Sequence, residues 1–69
     1  MSKFSERLLA LRKERKLNQE DLVVELGISV RTYRRYETEE REPTVSILWR
    51  IADFYGISVD YLIGRSDER

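Results

Sequence analysis

The tightest constraint on this chain is the tripeptide Gly27-Ile28-Ser29, which interrupts an otherwise helix-compatible run from Gln19 to Glu37. Before it, Leu22, Val23 and Leu26 recur at helical spacing and make one apolar face. Gly27 takes the left-handed conformation that ends a helix without a Cβ penalty. Ser29 then suits the N-cap of the next helix, accepting a bond from a free backbone N–H. Ile28 and Tyr33 stand at the spacing of a hydrophobic staple, which sets the angle between the incoming chain and that helix. The stretch therefore predicts two short helices, about 19–26 and 30–38, joined by one tight turn.

The second of these helices has two unlike faces. Tyr33 and Tyr36, three residues apart, belong on an inward face, which leaves Val30, Arg31, Arg34 and Arg35 outward, with no acid before Glu37. A purely structural helix rarely shows solvent three arginines and no compensating acid. Arginine reads guanine through a two-pronged contact to O6 and N7, and it also binds phosphate without reading sequence. Val30, near the helix start, either contacts a thymine methyl or is simply half-buried. A helix, a Gly-containing turn and a helix with such a face have the layout of the DNA-binding helix-turn-helix motif. Charge along the chain points the same way. Residues 1–36 carry nine Lys/Arg against five Asp/Glu, and residues 37–69 carry four against eight, so a net charge of zero hides one basic half and one acidic half.

The remaining segments read as further helices. Phe4, Leu8 and Leu11 share a stripe that Leu17 closes, with Ser2 or Ser5 as the starting cap. Lys13, Arg15 and Lys16 gather where cations complement a helix C-terminus. Asn18 caps the second helix, and Asp21, three residues on, forms a capping-box pair with it. Gln19 is either an ordinary polar helix residue or an amide donor to a DNA phosphate. After a charged connector, TEEREP, Thr44 caps a fourth helix whose inward stripe is Val45, Leu48, Ile51, Ala52 and Tyr55. Ile47, Trp49 and Phe54 fall partly outside that stripe, more apolar surface than one core needs. Gly56 ends this helix. Ser58 begins a short fifth one with Val59, Leu62 and Ile63, and Gly64 stops it. Residues 65–69, RSDER, read as a frayed polar tail. The prediction is an all-α, compact five-helix bundle occupying residues 1–64.

At 69 residues without Cys, the chain has to draw its stability from buried apolar side chains alone. The lack of both His and Cys removes the commonest general base, thiol nucleophile and metal ligands, so neither an enzyme nor a metal, cofactor or small-molecule site is expected. No apolar run approaches membrane-spanning length and no signal-peptide pattern opens the chain, so a cytoplasmic protein is expected.

Taken together, RLLALRKERKLNQEDL, LGISVRTYRRYE, REPTVSILWRIADFYGIS and VDYLIG resemble the Cro and repressor family of five-helix DNA-binding domains, from about Phe4 to Gly64. The resemblance implies that Gln19 contacts phosphate, that Val30, Arg31, Arg34 and Arg35 meet base edges and nearby phosphates, and that Thr32, beside the cap Ser29, touches the backbone. Ser29 and Arg41, the connector's one base, join this DNA-binding set. It also implies a buried salt bridge between Arg12 and Glu37, and a dimer contact formed by Phe54, Ile57, Val59 and Tyr61. Arg12 lies next to Leu11, so its stem can pack inward while its head finds an acid. Glu37 ends its helix, a place the dipole disfavours for an anion unless a cation answers it. Three positions depart from the family pattern. They are Val23 in place of alanine, Tyr33 in place of an aliphatic residue, and a connector carrying Glu39, Glu40 and Glu42 in place of glycine and bases.

The function these readings imply is sequence-specific binding of double-stranded DNA by a transcriptional repressor. It would insert helix 30–38 into the major groove as a weak homodimer. The alternative is a protein-interaction adaptor or antitoxin-like module on the same scaffold, motivated by the acidic connector and the surplus apolar residues of the fourth helix.

Overall fold

A computed structural model describes residues 3–69, and among them every regular element is a helix. In chain order these are α1 (Lys3–Glu14), α2 (Gln19–Leu26), α3 (Val30–Glu37), α4 (Val45–Tyr55) and α5 (Val59–Leu62). The boundaries follow from local chemistry. Asn18, Ser29, Thr44 and Ser58 each precede a helix in extended conformation, and each side-chain oxygen accepts the backbone N–H three residues on. At Asn18 the box is complete, because Asp21 accepts the Asn18 N–H in return. Gly27 and Gly56 end α2 and α4 in the left-handed region. A Cβ on Gly27 would meet the Arg50 guanidinium at 3.3 Å and push it aside by a few tenths of an ångström, and the positive φ of 68° itself disfavours any residue with a Cβ.

Arginines from elsewhere answer the carbonyls left open at two helix ends. Arg50 of α4 donates to the Leu26 carbonyl at the end of α2, 3.1 Å away. Arg15, just beyond α1, donates to the Tyr55 carbonyl at the end of α4 at 2.9 Å and lies over the Tyr55 ring. The basic residues after α1 thus include one that serves another helix's dipole rather than its own.

α3 packs against both α1 and α2, α4 against α2 and α5, and α5 returns to α1. The core they enclose comprises Leu8, Leu11, Leu22, Leu26, Tyr33, Tyr36, Ile51, Tyr55 and Leu62, with Phe4, Leu17, Val23, Leu48 and Phe54 among the residues packed around it. Each fully buried leucine contributes about 1.5–3 kcal/mol by leaving water. Among the described residues, no helix is long and apolar enough to cross a membrane.

Three sequence expectations are corrected. Ser5 is not a cap. It lies inside α1, buried, and its hydroxyl donates to the Tyr36 carbonyl at 2.8 Å, tying α1 to α3; Ser2 lies outside the described residues. Val45, placed on the inward stripe of α4, is 68% exposed, because the first residue after a cap stands at the rim before the helix has turned toward its neighbours. The 65–69 segment is not frayed. Arg7 donates to the Tyr61 and Ser66 carbonyls and to Asp67, the Ser58 N–H donates to the Arg69 carbonyl, and Arg69 forms a two-pronged pair with Glu14.

Candidate nucleic-acid interface

α3 is the most sharply divided helix of the molecule. Tyr33 and Tyr36 are buried, whereas Arg31 and Arg34 are exposed and Val30, Thr32 and Arg35 half-buried. The inward tyrosines anchor the helix and hold the cationic side at the surface. The Arg31 and Arg35 guanidinium groups make no hydrogen bond or ion pair with the described residues. Arg41 is exposed on the connector. At the start of α3, Ser29 Oγ accepts the Thr32 N–H at 3.1 Å and donates to Thr32 Oγ1 at 3.0 Å, so the two hydroxyls occupy each other.

The far end of α3 is closed without glycine. Thr38 ends the helix and Glu39 takes the left-handed conformation, at φ 66°. That turn brings the Glu40 and Arg41 N–H groups back to the Arg35 carbonyl at 2.9 and 3.3 Å. The connector therefore closes α3 with a left-handed Glu39, at a backbone cost of about 1–2 kcal/mol for a residue with a Cβ. Its acids Glu39, Glu40 and Glu42 are exposed.

Beneath the basic face lies a polar joint. Arg12 of α1 grips Glu37 with two contacts, Nε–Oε2 at 2.7 Å and Nη2–Oε1 at 3.3 Å, and its Nη1 donates to the Leu17 carbonyl at 3.0 Å. The Glu37 side chain is only 8% exposed and that of Arg12 17%. Burial on its own would raise the Glu37 carboxyl, but hydrogen bonds from Arg12 first and Gln19 after it hold it below its ordinary value. The fork to Glu37 raises Arg12 in turn. Tyr33 turns its hydroxyl toward this joint without a hydrogen bond of ordinary length and angle, and burial raises it well above the usual phenol range. Tyr55, also buried without a partner for its hydroxyl, is pushed up to about 12 by burial.

Gln19, the first residue of α2, reaches into the same joint. Its Nε2 donates to Glu37 Oε1 at 3.1 Å and its Oε1 accepts from Arg34 Nε at 2.8 Å. Gln19 is thus engaged on both sides, an arrangement that its identity and position alone do not reveal.

The residues named for a dimer contact are on the opposite side of the chain order and are half-buried: Phe54, Ile57, Val59 and Tyr61. Phe54 stacks edge-on with Tyr55 at 5.0 Å between ring centres. The guanidinium groups of Arg7 and Arg69 lie 4.1 and 5.4 Å from the centre of the Tyr61 ring, so the docked 65–69 segment packs against it. More open apolar surface stands at Val45 and Trp49, one turn apart on α4.

Comparison with known proteins gives a consistent set of likenesses. A family described as helix-turn-helix matches residues 8–62. The chain is 38% identical over 65 residues to the uncharacterized HTH-type transcriptional regulator YobD of Bacillus subtilis, across 94% of this chain and 58% of that protein. It is 43% identical over 63 residues to the cryptic phage CTXphi transcriptional repressor RstR of Vibrio cholerae, across 91% of this chain and 56% of that protein. A crystal structure of a transcriptional regulator from Listeria innocua superposes with a TM-score of 0.87 at 32% identity, covering 96% of this chain and 62% of that one. The chain thus spans somewhat over half the length of these relatives.

Proposed function

The chain belongs to the helix-turn-helix family, and from that premise we propose that it is the DNA-binding part of a transcriptional repressor, acting in the cytoplasm. The observation that carries this reading is the outward face of α3, where Arg31, Arg34 and Arg35 stand with no acid among them. The one acid of that helix, Glu37, is already answered by Arg12. A duplex phosphate approaching this face therefore meets uncompensated positive charge. α3 enters the major groove. Arg31 and Val30 lie near its N-terminal end, the end that contacts base edges in this motif.

An eight-residue helix extends about 12 Å and spans only a few base pairs. Two copies related by a two-fold axis, on half-sites about one helical turn apart, supply the remaining affinity. The half-buried Phe54, Ile57, Val59 and Tyr61 are the residues through which the copies meet. The repressor assignment rests on the likeness to the Vibrio cholerae repressor. The chain is not an enzyme, in keeping with its family and its regulator relatives.

Selection of bound duplexes from a random pool, followed by a salt titration, tests this reading. Enriched sequences should contain two inverted half-sites. Affinity should fall with salt at a slope near −0.9 per phosphate neutralised. Arg31→Ala should cost about 1–3 kcal/mol of binding and relax preference at one base position. A second reading, a protein-binding module, is favoured by exposed Val45 and Trp49, 68% and 64% open. Failure to bind any duplex at low salt would select it.

A further inference from the structure

The three arginines of α3 are not equivalent. Arg34 alone is tethered, through its Nε–H, to Gln19 Oε1 at 2.8 Å. Gln19 is in turn held by Glu37 at 3.1 Å, and Glu37 by Arg12 at 2.7 Å. Four side chains from three helices therefore form one line, running from the partly buried Arg12 out to the exposed Arg34. An exposed arginine ordinarily spreads over many rotamers, and this one is fixed before any ligand arrives. The tether has a direction. It draws the guanidinium off the axis of α3 toward the start of α2, and it occupies the Nε–H. Four N–H donors on Nη1 and Nη2 remain. Arg31 and Arg35, whose guanidinium groups are unengaged, keep all five.

We propose that Gln19 is a positioning residue for Arg34, and that Arg34 so held grips a backbone phosphate, leaving base reading to Arg31 and Arg35. The inference rests on the DNA-facing reading of α3 and assigns roles within it. A guanidinium drawn aside onto a neighbouring helix suits the rim of a groove, where the phosphates lie, better than its floor, where the base edges lie. The pinned donors also meet a phosphate with less ordering left to do, so Gln19 acts on affinity through Arg34.

The experiment uses the full chain and a duplex recovered by selection, with Gln19→Met, Arg34→Ala, their double variant, and Arg31→Ala as reference. Arg34→Ala should weaken binding on the order of tenfold and by the same factor on every single-base variant of the site. It should also reduce the salt slope by about one. Gln19→Met should weaken wild-type binding, yet change little in the Arg34→Ala background. In the free protein, the Arg34 Nε–H signal should be protected from exchange with water and lose that protection in Gln19→Met, a readout that needs no DNA and that a change in stability alone would not confine to one side chain. Circular dichroism confirms that each variant is folded at the temperature of measurement. Additive losses from Gln19→Met and Arg34→Ala, an Arg34→Ala effect confined to one base position, or an Arg34 Nε–H that exchanges freely in the wild type would each overturn the assignment while leaving the DNA-binding reading intact. No salt-dependent duplex binding by the wild type overturns both.

Discussion

Two of the arginine–carboxylate pairs among the described residues share one short contact distance in opposite surroundings. Arg12 and Glu37 meet at 2.7 Å with side chains 17% and 8% exposed, and Arg69 and Glu14 meet at 2.7 Å with side chains 49% and 51% exposed. The first joins α1 to the end of α3, beneath the basic face, and also holds Gln19. The second fastens residue 69 to the solvent side of α1. Distance therefore says little about what either pair does. An exposed pair trades hydration for an equivalent contact, while a buried one, once formed, cannot lose a partner without stranding a charge.

That contrast can be broken most directly at Glu37. Glu37→Ala leaves Arg12 without its acid and Gln19 without its acceptor. It should lower unfolding free energy by about 3 kcal/mol, the lower end for a buried pair because water still reaches Arg12. Urea melts check this, and a loss near zero would place the two pairs in one class. Replacing both partners, Arg12→Met with Glu37→Leu, should cost clearly less than Glu37→Ala alone, since no buried charge is left over.

Acid titration sharpens the comparison further. The folded state holds Glu37 below its ordinary value of 4.5, net of burial, so its contribution is fully present above the unfolded-state value. It is lost as pH falls through the depressed folded value. The stability advantage of wild type over Glu37→Gln should accordingly stay level above about pH 5 and shrink below about pH 4. Glu14 is lowered in the same direction by its hydrogen bond to Arg69, which is why the difference between variants, not the wild-type curve alone, carries the test. The smallest effect belongs to the exposed pair. Arg69→Ala should leave the melting temperature unchanged within error, and a clear drop would show that the tail pair is more than a tether.

Most of the fold was legible because its instructions are local. Leu8, Leu11, Leu22 and Leu26 follow helical spacing. Asn18, Ser29, Thr44 and Ser58 announce helix starts, and Gly27 and Gly56 announce stops. The inward turn of Tyr33 and Tyr36, and with it the outward arginines, follows from the same periodicity. What escaped sequence reading depends on partners far along the chain. Ser5 looks like a cap until Tyr36, 31 residues away, is brought against it. The 65–69 segment looks free until Arg7 and Glu14 are brought beside it. Gln19 announces an amide near a helix start, but nothing local says that Arg34 and Glu37 will claim both its ends. Glu39 shows a different limit. A residue with a Cβ rarely adopts the left-handed turn, and the demands of closing α3 override that preference.

The four capped helix starts have a kinetic consequence. Each boundary is settled by an oxygen and an N–H only three residues apart, so little chain has to be gathered before a helix can hold its own end. Small helical proteins that rely on such nearby contacts reach the native state in times on the order of microseconds to milliseconds. A newly made copy of this chain should accordingly hide its oily faces soon after synthesis, leaving sticky intermediates little time to find one another.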